Sequence, residues 1–168
     1  MRIVGIDVGK IVRIGSIEFT EIGPPKVVGV WEVDAFPGKR DVCAPARSIG
    51  SIVRQQLPHR VWVEQQQPYP KQGVSSTFKL GYAFATVIGG LASTPSCVSL
   101  VTPIAWKKQL GLIHADKEKS RLAALTLFGE NENLLARKND HDRAEALLIA
   151  YYGMLQLRGE ALGVRRVS

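Results

Sequence analysis

Asp7, Glu64, Asp142 and Glu145 lie in three separated stretches, GIDVG, VWVEQ and NDHDRAEALLIAYYG, each against apolar residues. On a helix of about 3.6 residues per turn, Asp142, Glu145, Ile149 and Tyr152 fall at i, i+3, i+7 and i+10, along one side. Two acids thus share a stripe that asks to be buried. A buried carboxylate without a partner is strongly unfavourable or takes up a proton, so acids facing a sheet need a cation or hydrogen bonds. Asp7 and Glu64, at strand ends, add to the repulsion. Four carboxylates at one sheet edge call for a group of high positive charge, and oxygen-only ligand sets suit Mg²⁺ or Mn²⁺. Each acid has an ordinary reading too. Asp142-x-x-Glu145 has the form of a capping box, favoured by the helix dipole without any metal. Asp7 alone fits a strand-end turn, and Glu64 alone fits an arginine pair. The combination at the ends of three elements is what points to a metal site.

The elements that must position these acids are legible as patterns. RIVGID (2–7) is a short apolar run ending in an acid, IVRIGSIEF alternates, and Gly23-Pro24-Pro25 turns the chain into VVGVWEVDAF, giving three strands in a meander. DVCAPARSIGSIVRQQL has helical spacing at Ile49, Ile52 and Val53, and Pro58 stops it before a fourth strand, RVWVEQ. Phe84, Val87, Ile88 and Leu91 predict an amphipathic helix over 75–93 with Ser75 or Ser76 as its N-cap. CVSLVT reads as a fifth strand and PIAWKKQL as a short helix with proline at its first position. Helices over Lys117 to Phe128 and Asp140 to Leu157 complete the pattern. The expected class is α/β, a mixed five-stranded sheet flanked by helices, in an order that matches the RNase H-like fold.

The chain has 168 residues, enough for one domain with a real core. We expect a single domain over 1–157 and a flexible basic tail over 158–168. Cys43 and Cys97 form no C-x-x-C pair and read as buried thiols of a reducing compartment. MRIVGIDVGK has no secretion pattern, and GYAFATVIGGLAS is too short and too rich in Gly and Ala to span a bilayer, so the expected setting is cytoplasmic, in a bacterial or phage-infected cell. A net charge of +7 and a pI near 9.6 favour a polyanionic partner. Between Asp41 and Asp116, Glu64 is the sole acid among many basic residues.

GIDVG (5–9), VWVEQ (61–65), PYPKQG (68–73), GYAFATVIGGL (81–91), TPIAWKKQLGL (102–112), DKEKSRLAALTLF (116–128) and KNDHDRAEALLIAYYG (138–153) resemble the RuvC superfamily of Holliday junction resolvases, closest to the chloroplast resolvase and related phage enzymes. The resemblance covers residues 1 to about 155. It implies an endonuclease that makes paired symmetric nicks in a four-way DNA junction as a homodimer, using two Mg²⁺ or Mn²⁺ ions per active site and leaving a 5′-phosphate and a 3′-hydroxyl. It carries metal ligation to Asp7, Glu64 and Glu145. The fourth group is Asp142 by the bacterial pattern and His141 by the chloroplast pattern. Among Lys117, Lys119 and Lys138 the sequence does not select a catalytic lysine.

Candidate DNA contacts are Lys71, Lys79, Lys107, Lys108, Arg137 and Lys138, together with Gln72. Binding through phosphates would make affinity fall steeply with salt. Tyr69, in the Pro-rich PYPKQG loop, is a candidate wedge or stacking residue at unpaired bases, or else packs on the core. Trp106, His59 and His114 are assigned to packing. Gly81, Ala85 and Gly89 leave a small-residue groove for a dimer seam or an internal contact. Other functions keep part of this picture: an RNase H-like ribonuclease, a flap or fork nuclease, or a non-catalytic junction-binding protein. GIDVG also resembles the phosphate loop of actin-like ATPases, which need a second domain that 168 residues do not supply.

Overall fold

A computed structural model describes residues 1–36, 38, 41–68 and 70–161, without the side chains of 130–132 and 160–161. Tyr69 and residues 162–168 of the expected tail lie outside the described residues. Three antiparallel strands, β1 (Arg2–Asp7), β2 (Ile11–Glu18) and β3 (Lys26–Asp34), form the meander. Helix α1 (Ala44–Gln56) leads to β4 (Arg60–Glu64), α2 (Val74–Leu91) to β5 (Cys97–Val101), and α3 (Pro103–Gln109), α4 (Lys117–Phe128) and α5 (His141–Ala161) follow. The five-stranded sheet runs β3-β2-β1-β4-β5, with β4 parallel to β1 and β5 parallel to β4. This is the expected mixed α/β sheet flanked by helices, an RNase H-like fold.

Strand alternation sorts the sheet into two faces. Val4, Ile6, Val8, Val12, Ile14, Val61 and Val63 pack with Ile49, Val53, Ala83, Val87 and Leu91 of α1 and α2. Ile3 and Ile17 pack on the other side with Leu147, Leu148 and Met154 of α5 and with Trp106, Ala124 and Phe128 behind it. Helix α5 lies between the sheet and α3 and α4, which is why its apolar residues surround it rather than forming one stripe. Its approach is close. Gly5 and Gly15 are paired across β1 and β2, and a Cβ on Gly5 would lie 2.3 Å from the Ala146 carbonyl.

Several local expectations change. Helix α2 is capped by Gly73, with no side-chain cap, because it starts at Val74, ahead of the two serines. A 3-10 turn, Lys138–Asp140, precedes α5, which continues past Leu157 to Ala161. Cys43 and Cys97 are exposed, Cys43 just before α1 and Cys97 at the start of an edge strand. His59 and His114 are exposed as well, with His59 Nδ1 accepting from the Arg2 amide at 3.1 Å. The α1–α2 contact uses Gly50 and Gly90, while Gly81 and Gly89 have nothing within 4 Å of an added Cβ.

Candidate active site

The parity that puts Ile3 and Gly5 under α5 puts Asp7 there too, at the end of β1. In β4, Val61 and Val63 face α1 and α2, so Trp62 and Glu64 face α5. Residues 3–6 of β1 pair in sequence with 60–63 of β4, which places Asp7 and Glu64 at neighbouring strand ends. From above, the first turns of α5 supply Asp142 and Glu145.

The acids are close enough to act on one another. Burial holds the Asp7 carboxyl well above its ordinary range, and the charges of Glu64, Glu145 and Asp142 push the same way, while Arg13 opposes them. Asp7 nevertheless keeps some accessible surface. Glu64 is also raised, first by burial and then by Glu145. The Trp106 hydrogen bond, Lys107 and Gln66 pull it back. Two neighbouring carboxyls that burial and like charge disfavour as anions are a place where added positive charge is stabilising.

Three of the four acids, Glu64, Glu145 and Asp142, are meanwhile held by protein groups. Glu64 Oε1 accepts from the Trp106 indole at 2.9 Å and Oε2 from Gln66 Nε2 at 3.1 Å. The same Gln66 nitrogen donates to the Val8 carbonyl at 3.0 Å, tying the end of β4 to the end of β1. Glu145 Oε1 accepts from Ser120 Oγ at 3.1 Å and lies 3.1 Å from Lys107 Nζ. Asp142 Oδ2 is 2.8 Å from an Arg13 guanidinium nitrogen, and its Oδ1 is 2.9 Å from His141 Nε2 and 3.7 Å from Lys117 Nζ. His141 Nε2 also lies 3.0 Å from Lys117 Nζ. Among the described residues no three His, Cys, Asp or Glu side chains close into a ready-made ligand shell. The donor set of Asp7, Glu64, Glu145 and Asp142, all carboxylate oxygen, is of the kind that suits a hard divalent cation.

Some of the groups around the acids were not foreseen from sequence. Trp106 is fully buried as expected, yet it also orients Glu64. Lys107, expected on phosphate, reaches Glu145 itself and lies over the Trp106 ring. Arg13 was not singled out, although an arginine sharing the inward parity of Gly15 and Ile17 was the available signal. Asp140 is a buried structural acid. Burial alone would raise it, but hydrogen bonds from Arg137 and the charge of Arg143 hold it below the ordinary value. It therefore anchors the turn before α5 and stands apart from the cluster. Lys71, Lys79, Lys108, Arg137 and Lys138 are exposed, and Gln72 is partly so.

No protein-family model matches the sequence, and no curated protein does. Solved structures do match the fold. A Thermus thermophilus RuvC structure aligns over 98% of both chains with a TM-score of 0.74 and 22% identity. T. thermophilus RuvC in complex with a Holliday junction substrate aligns over 98% of both chains, with a TM-score of 0.74 and 20% identity. The yeast mitochondrial Holliday junction resolvase aligns over 97% of this chain and 82% of its own, with a TM-score of 0.66 and 14% identity. The chain is thus similar in fold, along nearly its whole length, to Holliday junction resolvases.

Proposed function

We propose that the chain is a divalent-cation-dependent endonuclease of the RuvC superfamily that resolves four-way DNA junctions by paired symmetric nicks. The observation that carries the reading is the convergence of Asp7, Glu64, Glu145 and Asp142 from β1, β4 and α5, near enough for the last three to raise Asp7. The fold shared with RuvC, one structure of which holds a Holliday junction, supports the substrate class. The H-x-R-A-E-A sequence at 141–146 favours kinship with the chloroplast and phage enzymes.

Asp7, Glu64, Glu145 and Asp142 would hold Mg²⁺ or Mn²⁺, two ions per site, whose chemistry is to polarise the scissile phosphate and ease deprotonation of water. The chain supplies the rest. Trp106 and Gln66 fix the Glu64 carboxylate, while Ser120 and Lys107 fix Glu145. The Lys107 ammonium, 3.1 Å from Glu145, would also stabilise negative charge that grows on the phosphate. Lys117 and His141, in contact beside Asp142, would hold or deliver a proton at the leaving 3′ oxygen. Water adds to phosphorus as the bond to O3′ breaks, leaving a 5′-phosphate and a 3′-hydroxyl.

A two-fold junction is met best by a two-fold protein. Along α2, Val74, Phe78, Gly81, Ala85 and Ile88 follow helical spacing on one exposed side, with Phe78 73% exposed. Val98 and Leu100 of β5 are open as well. This apolar surface is the proposed homodimer seam, and the enzyme would work in the cytosol. The test is a synthetic mobile four-way junction incubated with Mg²⁺, Ca²⁺ or chelator beside a fork, a flap and an RNA/DNA hybrid. Symmetric paired nicks in the junction with Mg²⁺ alone support the reading. Preferential cutting of the hybrid or the fork would replace it with the ribonuclease or fork-nuclease alternative. Junction binding that no metal converts to cleavage would leave a binding module.

A further inference from the structure

We infer that a cleft at the sheet end that carries the carboxylates, but on the α2 side of the sheet, lined by Lys10, Phe36, Gln72, Ser76, Lys79 and Leu80, is a nucleotide subsite that seats one unpaired base of a DNA strand with its phosphate on the two lysines. The inference rests on the reading of the chain as a DNA nuclease and adds a binding site to it. The cleft measures about 450 Å³, within the roughly 300–1,000 Å³ typical of small-ligand sites. Its walls come from three places: the turn after β1, the segment after β3 and the first turns of α2.

The chemistry of the walls is that of a nucleotide. Phe36 and Leu80 are apolar, and Phe36 is held by a stack on Tyr82, ring centroids 5.3 Å apart at 24°. A braced aromatic ring suits a base face of any sequence. Lys10 and Lys79 have no ion-pair partner among the described residues, and no acid lines the cleft. Helix α2 has no acid in its first turn and no side-chain cap, so its positive end adds to the same potential. Gln72 and Ser76 bring an amide and a hydroxyl to the rim. A bare phosphate would use the lysines and leave the aromatic wall without a role, which favours a whole nucleotide.

Its position links it to the carboxylates. Lys10 lies three residues after Asp7, and Gln66 ties the Glu64 carboxylate to the Val8 carbonyl at the start of that turn. The cleft and the acids thus share one end of the sheet, the cleft on its α2 side and the acids facing α5. The cleft faces away from the proposed dimer seam, since Ser76, Lys79 and Leu80 lie on the opposite side of α2 from Val74, Phe78 and Ala85 by helical spacing.

The test uses the whole protein in chelator, so that nothing is cut. A short single-stranded oligonucleotide carrying 2-aminopurine at one position is titrated by fluorescence, beside the same oligonucleotide with an abasic residue there. Expected are a fluorescence change on binding, binding of the abasic strand weaker by about tenfold, loss of both signals in Phe36→Ala and their retention in Phe36→Tyr. Lys10→Ala and Lys79→Ala should weaken both strands alike. Thermal melts confirm that the variants fold. Equal affinity for intact and abasic strands, or an unchanged signal in folded Phe36→Ala, overturns the subsite. Junction cleavage with Mg²⁺ is scored in parallel and separates the two readings: normal cleavage without base discrimination removes the subsite alone, whereas base discrimination without cleavage removes the nuclease reading alone.

Discussion

Asp7 carries the sharpest consequence at the scale of single residues. Its folded-state pKa lies above the unfolded value, so the folded chain binds the proton more tightly. Stability then falls as pH rises from the ordinary carboxylate range through the raised value. In chelator at neutral pH, Asp7→Asn should therefore melt higher than the parent, at roughly 2–4 °C per kcal/mol for a chain of this size, and the gap should close below about pH 4. Mn²⁺ should raise the melting temperature of the parent and leave Asp7→Asn nearly unmoved; the reverse order would mean that Asp7 is not a ligand. Trp106→Phe keeps the ring in the core and removes the donor to Glu64. We expect a loss of about 10- to 100-fold in Mn²⁺ affinity, read by calorimetry, with a far smaller change in fold stability. The acids were visible in the sequence because charge beside an apolar pattern is a local signal. Their orienting groups were not, since Trp106 and Glu64 are 42 residues apart and only packing joins them.

The elements show why the acids meet. Period-two alternation puts Asp7 and Glu64 on the same face of neighbouring strands, and three-residue spacing puts Asp142 and Glu145 on the same side of α5. Whether these faces meet depends on how near α5 comes to the sheet, and Gly5, Gly15 and Gly153 set that distance. Each lacks the Cβ that would strike Ala146, Ala150 or the Trp62 indole. Gly5→Ala should destabilise the fold by about 1–3 kcal/mol through overpacking. It should also weaken Mn²⁺ binding more than a distant substitution of equal cost, as measured by denaturant titration and calorimetry on the same sample. Strand and helix patterns were readable because each reports on its own burial. The start of α2 was misread because serine is a common cap, whereas the chain begins the helix directly after Gly73.

For the whole molecule, charge and shape act together. A basic surface with a cation-hungry acidic cluster should bind DNA with strong salt dependence. If 6–10 phosphates are contacted, affinity should drop about 10³- to 10⁵-fold between 50 and 200 mM salt; a flat salt profile would argue against phosphate-dominated binding. Phe78→Glu places a charge in the middle of the exposed α2 stripe. It should leave a folded monomer by ultracentrifugation and turn paired nicks into single ones, while an unchanged dimer would place the seam elsewhere.

The sequence by itself determined the kinds and order of the main strands and helices, and it singled out four acids as candidates, because periodicity and charge are properties of neighbouring residues. It did not determine which groups bind those acids. Arg13 on Asp142, Lys107 on Glu145 and Trp106 on Glu64 are pairings between distant parts of the chain. So too is the cleft between Lys10, Phe36 and Lys79. Only the tertiary structure decided them, since a contact between remote residues depends on strand register and on how closely α5 seats against the glycines of β1 and β2.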